Sequence, residues 1–154
     1  EEYELTILED WILLKEGKKF FSFNKEEDNF EKIEEGILDY KVSPDKEKLA
    51  IFSNNEIFIF YLKERFAQPM KRKGEKVFIT RFSKKIGNLF WLNPDYLIFN
   101  VGNKIKVSEI DDRNGMNIYD LAEFREPKIS FNNFDKKIYL LSEKNLYILE
   151  KLIP

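Results

Sequence analysis

Short apolar runs, four to six residues long and punctuated by turn-forming residues, recur along the whole chain. Leu49-Ala50-Ile51-Phe52 is wholly apolar, Ser53-Asn54-Asn55 follows, and Ile57-Phe58-Ile59-Phe60-Tyr61 is β-branched and aromatic throughout. An Asn-Asn pair between two such runs is hairpin chemistry, because Asn tolerates positive φ at little cost. Ahead of it, Ser43-Pro44-Asp45 reads as a turn: Pro presets φ, and the flanking Ser and Asp can bond the local backbone. Residues 41–62 therefore predict one complete hairpin with its approach.

The arrangement repeats. Hairpin centres fall at Glu16-Gly17, Asn54-Asn55, Gly102-Asn103 and 143–145, in steps of about 38, 48 and 41 residues, near the ~40–45 of a four-stranded propeller blade. Around them lie hairpin strands at 11–14 and 20–23, 49–52 and 57–61, 96–101 and 104–110, and 138–141 and 146–149. Incoming strands at 3–7, 37–42, 86–92 and 126–130 and fourth strands at 29–33, 77–82 and 117–121 bring the total to fifteen. The last unit lacks its fourth strand. Blade units of about 1–35, 36–83, 84–122 and 123–154 follow, in one domain. Wholly apolar second and third strands predict burial on both faces by neighbouring units. Residues 25–35 carry no apolar stripe of helical period and read as a charged loop and an edge strand. The fold expected is all-β, a β-propeller-like array of about four four-stranded antiparallel blades. A β-sandwich or β-solenoid of meanders is the alternative, since strand order does not separate radial from linear stacking.

Composition sharpens the picture in three ways. Fifteen Phe, seven Tyr and two Trp against two Met suit pleated, half-buried surfaces. With no Cys and no His, disulfides, thiol nucleophiles, the commonest metal ligand and the Ser-His-Asp triad are excluded. A net charge of −2 does not favour nucleic acid as a partner. No run approaches the ~18 apolar residues of a membrane span, and the acidic start, without an initiator Met, does not read as a signal peptide. A mature product, an excised domain and part of a longer protein are all compatible with it.

Ser43-Pro44-Asp45-Lys46, followed by Lys48-Leu49-Ala50-Ile51 and then Ile57-Phe58-Ile59, resembles the repeat of TolB-like and WD-repeat-like β-propellers. Asn93-Pro94-Asp95 with Tyr96-Leu97-Ile98-Phe99 is similar to a second copy, and Ser130-Phe131-Asn132 to a third. Lys46 stands where the family pattern has Gly, and the WD dipeptide is missing. The resemblance implies a non-enzymatic protein–protein interaction scaffold with a protein partner; the matched motif is structural, so no catalytic residue carries over from it, and no metal or cofactor is expected. A glycan- or ligand-binding or catalytic propeller, and a structural module of a cell-surface or membrane-associated protein, stay open. An extracytoplasmic or membrane-associated place in a longer bacterial protein is suggested; a cytoplasmic one stays open. Unpaired blade edges would also permit self-association.

One local anomaly offers a candidate site. Residues 63–85 hold nine bases against Glu64 and Glu75, and Lys71, Arg72, Lys73, Lys76, Arg81, Lys84 and Lys85 could meet an anionic partner. Against this stands a solvated loop matched by residues 1–40, which carry thirteen acids and five bases. The clusters Phe20-Phe21-Phe23, Phe58-Phe60-Tyr61 and Phe90-Trp91 read as core more readily than as stacking platforms. Asp111 to Gly115 does not make a calcium loop, since placing Gly115 sixth puts Ile110 first and Leu121 twelfth. Ser43, Asp45, Asn93 and Asp95 are accounted for by turn capping.

Overall fold

The computed structural model describes residues 2–113 and 115–149. Fifteen strands form four antiparallel sheets, each in plain sequence order. The first holds β1 (Tyr3–Leu8), β2 (Trp11–Glu16), β3 (Lys19–Asn24) and β4 (Asn29–Glu35); the second β5 (Ile37–Val42), β6 (Lys48–Ser53), β7 (Glu56–Tyr61) and β8 (Lys76–Arg81). The third holds β9 (Ile86–Asn93), β10 (Tyr96–Val101), β11 (Lys104–Glu109) and β12 (Ile118–Glu123); the fourth β13 (Lys128–Asn132), β14 (Lys137–Ser142) and β15 (Asn145–Leu149). No helix long and apolar enough to cross a membrane occurs among the described residues.

The sheets stack face to face around their first strands, as blades do. β5 lies against β9 and β9 against β13, while Thr6 Oγ1 and Tyr40 OH, 2.6 Å apart, link β1 to β5. Each junction is an apolar core. Leu13 and Phe20 meet Leu49, Ile51 and Phe60 between the first and second sheets. Ile57 and Ile59 meet Leu89, Trp91 and Phe99 between the second and third, and Ile98 and Val107 meet Ile138 and Leu140 between the third and fourth. Large flat side chains fill these spaces and their polar tips find partners. The Trp11 indole N–H donates to the Leu62 carbonyl at 2.7 Å, and that of Trp91 to the Lys41 carbonyl at 2.8 Å. Each tie crosses a junction.

Two expectations change. Burial on both faces holds for β6, β7 and β10 but not for the first and fourth sheets, because among the described residues no core joins those two. The Asn54-Asn55 turn also differs: neither residue has positive φ. Instead Ser53 Oγ accepts from the N–H groups of Asn55 and Glu56, and Asn55 Nδ2 donates to the Phe82 carbonyl at 3.0 Å. The hydroxyl shapes the turn, and the amide is spent holding the next crossover.

Three of the left-handed non-glycine positions lie in turns between first and second strands. Glu9, Lys46 and Lys136 have φ of 49°, 60° and 58°. Lys46 thus keeps the conformation for which Gly is the usual residue. Around it Ser43 Oγ donates to Asp45 Oδ1 at 2.5 Å, Lys48 N–H donates back to Ser43 Oγ at 3.0 Å, and Lys48 Nζ meets Asp45 Oδ2 at 2.6 Å. Burial by itself would raise the Asp45 carboxyl, but hydrogen bonds from Lys48, Ser43 and the Glu47 N–H hold it below its ordinary value. Asn93 Oδ1 likewise accepts from the N–H groups of Asp95 and Tyr96. These motif residues build turns.

Candidate functional site

The exposed chemistry concentrates on two end faces. In β1 the alternation places Leu5 and Ile7 on the side turned away from the second sheet. Register then extends that face: Leu5 is opposite Leu14, Ile7 opposite Ile12, and Leu14 opposite Phe21. Phe23 and Phe30, paired across β3 and β4 with ring centroids 5.1 Å apart, continue it. Ile7 is 68% exposed, and Leu5 and Phe30 are exposed with it. At the other end, Leu141 is opposite Leu146 and Tyr139 opposite Ile148. Those residues face away from the third sheet, since their strand neighbours Ile138 and Leu140 fill the last junction. Leu146 is 66% exposed, and Leu141 and Ile148 are also exposed. A soluble surface rarely carries contiguous apolar faces without an occupant.

The basic stretch is not one patch. Lys71, Arg72 and Lys73 lie in the β7–β8 connection, Lys76 and Arg81 at opposite ends of β8, and Lys84 and Lys85 in the β8–β9 turn beyond, so a six-residue strand, about 20 Å, separates the two groups. Most of the cations are bonded. Lys71, 8% exposed, reaches Asp112 at 2.7 Å and Glu75 at 3.4 Å. Lys73 meets Asp10 at 3.4 Å and lies over the Trp11 ring; Lys76 meets Glu34 at 2.5 Å; Arg81 forks onto Glu56. Arg72, Lys84 and Lys85 are exposed. With Lys63 on Glu9 at 3.0 Å and Arg65 against Asp95 at 3.6 Å, this segment straps both junctions of the second sheet.

Two recesses flank that strap. One, of about 330 Å³, lies at the first junction, where Ile7, Leu8, Trp11 and Leu62 meet charges of both signs, Asp10 and Lys73 among them. The other, of about 260 Å³, lies at the second junction and includes Tyr61, Arg65, Tyr96 and Arg113. Burial pushes the Tyr61 hydroxyl up to about 12, so the phenol is neutral at neutral pH. Arg113 holds Asp111 down to about 2, and Lys71 occupies Asp112. Both carboxylates are engaged in ion pairs; Asn114 lies outside the described residues. No group of three or more His, Cys, Asp or Glu able to hold a metal occurs among the described residues.

An open array of blades is expected to leave an apolar blade face exposed, but sequence reasoning did not single out the residues that form it. The signal was present in Tyr3, Leu5 and Ile7 alternating with Glu4 and Thr6, but alternation says only that one face is apolar, not whether anything covers it. Trp11 is the strand start that its place at the head of the 11–14 run predicts, and its ring also walls the first recess.

No protein-family model and no curated protein matches the chain. Its fold is that of solved β-propellers. Similar structures are the N-terminal domain of Nup159, with 10% identity over 97% of this chain and 43% of that one and a TM-score of 0.57, and a protein of unknown function from Desulfotomaculum acetoxidans, with 14% identity over 94% and 50% and a TM-score of 0.55. KlHsv2 with its loop 6CD replaced by a Gly-Ser linker is similar too, with 15% identity over 95% and 46% and a TM-score of 0.54. The chain spans half or less of the length of each.

Proposed function

We propose that this chain is a non-enzymatic scaffold for protein–protein interaction, built on a row of propeller blades. The observation that carries the reading is the pair of exposed apolar end faces. Leu5, Ile7 and Phe30 on one and Leu141, Leu146 and Ile148 on the other are β-sheet surfaces of the same chemistry as the buried junctions. Such surfaces gain most from another flat apolar protein surface, and a small polar ligand would leave most of them wet. A structural relative supports the reading: a solved S. cerevisiae complex holds Dbp5 bound to Nup159, Gle1, IP6 and ADP, and this chain matches it at 12% identity with a TM-score of 0.56.

Photo-crosslinking tests the proposal. A photoreactive residue at position 7 or 146, in cells expressing the chain, should give discrete protein adducts. The same residue at Phe134, which sits in a turn off both faces, should not. Equal labelling at all three positions would overturn the proposal.

A further inference from the structure

The geometry points to a second copy of this chain as the occupant of both end faces, the two copies closing head to tail into one ring of eight sheets. This inference rests on the scaffold reading and names its partner.

At every junction within the chain, the C-terminal-facing side of one sheet packs on the N-terminal-facing side of the next. The fourth sheet ends with the first kind of side exposed and the first sheet begins with the second kind. Placing the fourth sheet of one copy on the first sheet of another therefore continues a stacking the molecule already uses three times. With two copies related by a two-fold axis, two identical junctions form and no end face is left over. Contacts between unlike faces close only if the rotation per unit fits the ring, and otherwise run on as a filament.

Charge supports the same pairing. Residues 1–35 carry twelve acids and five bases, whereas residues 123–154 carry five acids and six bases. The existing first junction joins acids of the first sheet to bases of its neighbour, as in Glu34 with Lys76 and Asp10 with Lys73. On the opposite end face Lys128 is directly across from Leu141, an exposed base beside the apolar patch.

Light scattering on the purified 154-residue chain tests this. The expected mass is twice 18.6 kDa. Ile7→Glu and Leu146→Glu, both on exposed positions, should each raise the dimer dissociation constant more than tenfold while leaving the far-ultraviolet β spectrum unchanged; Phe134→Glu should change neither quantity. An equimolar mixture of the first two variants should recover association, because a mixed pair keeps one junction with both faces intact. Retained dimer in Leu146→Glu, or a mass that climbs without limit with concentration, would overturn the ring. A monomeric wild type that still gives adducts with other proteins through position 7 would overturn the second copy and leave the scaffold standing; a monomer without adducts would overturn both.

Discussion

The second and fourth sheets share a hairpin plan and differ in what surrounds them. Ile59 in β7 is fully buried, while Ile148, also in the third strand of its sheet, is 48% exposed. Both strands are rich in apolar residues, so composition does not decide burial here; the presence of a neighbouring sheet on each side does. In a repeat array stability is a sum of unit and junction terms, and the end units have one junction each.

That contrast can be broken in graded steps. With the protein at its lowest working concentration, Ile59→Ala should cost about 3 kcal/mol, from lost transfer energy and an unfilled cavity, and Ile148→Ala less than about 0.5 kcal/mol, as read from urea midpoints. Asp45→Ala should cost nearly as much as Ile59→Ala, about 3 kcal/mol, because it strands the 3% exposed Lys48 beside no anion. The folded Asp45 value is depressed, so its contribution is present above the unfolded carboxyl value and disappears as pH falls through the folded one. The wild type should therefore converge on the variant below about pH 4.

Tyr61 gives a smaller effect with the opposite sign in pH. Its folded value is raised from 10 to about 12, so its contribution is complete below pH 10 and is lost as pH rises toward 12, by about 2 kcal/mol. Tyr61→Phe should flatten the alkaline limb of a stability titration over that window. Smallest of all, Lys46→Gly should stabilise by about 0.5 kcal/mol, by relieving a left-handed residue that carries a Cβ. Thermal midpoints of that variant, and of Lys136→Gly at the corresponding turn of the fourth sheet, should rise together.

Much of the fold was legible in the sequence because each strand announces itself locally. Ile37 to Val42 and Tyr96 to Val101 are bounded by turn residues and rich in β-formers, and both are strands over those same residues. Less local facts were not. Lys46 holds a glycine-like φ, as Glu9 and Lys136 do at the corresponding turns, and nothing in a lysine or glutamate side chain announces it. The cations from Lys63 to Lys85 look like one patch in series, yet their partners Glu34, Asp10 and Asp112 come from neighbouring sheets, and Lys84 lies a strand's length from Lys71. The exposure of Ile7 and Leu146 was hidden for the same reason: it depends on where the stack ends, which no short window of residues records.

Hydrogen exchange on the chain carrying both Ile7→Glu and Leu146→Glu, and so held as a monomer, tests the four-sheet open stack most directly. An open stack should show slow exchange in β6, β7, β10 and β11, and fast exchange in β1 and β15. Equal protection across all four sheets would contradict it, because it would mean that the first and fourth sheets cover each other.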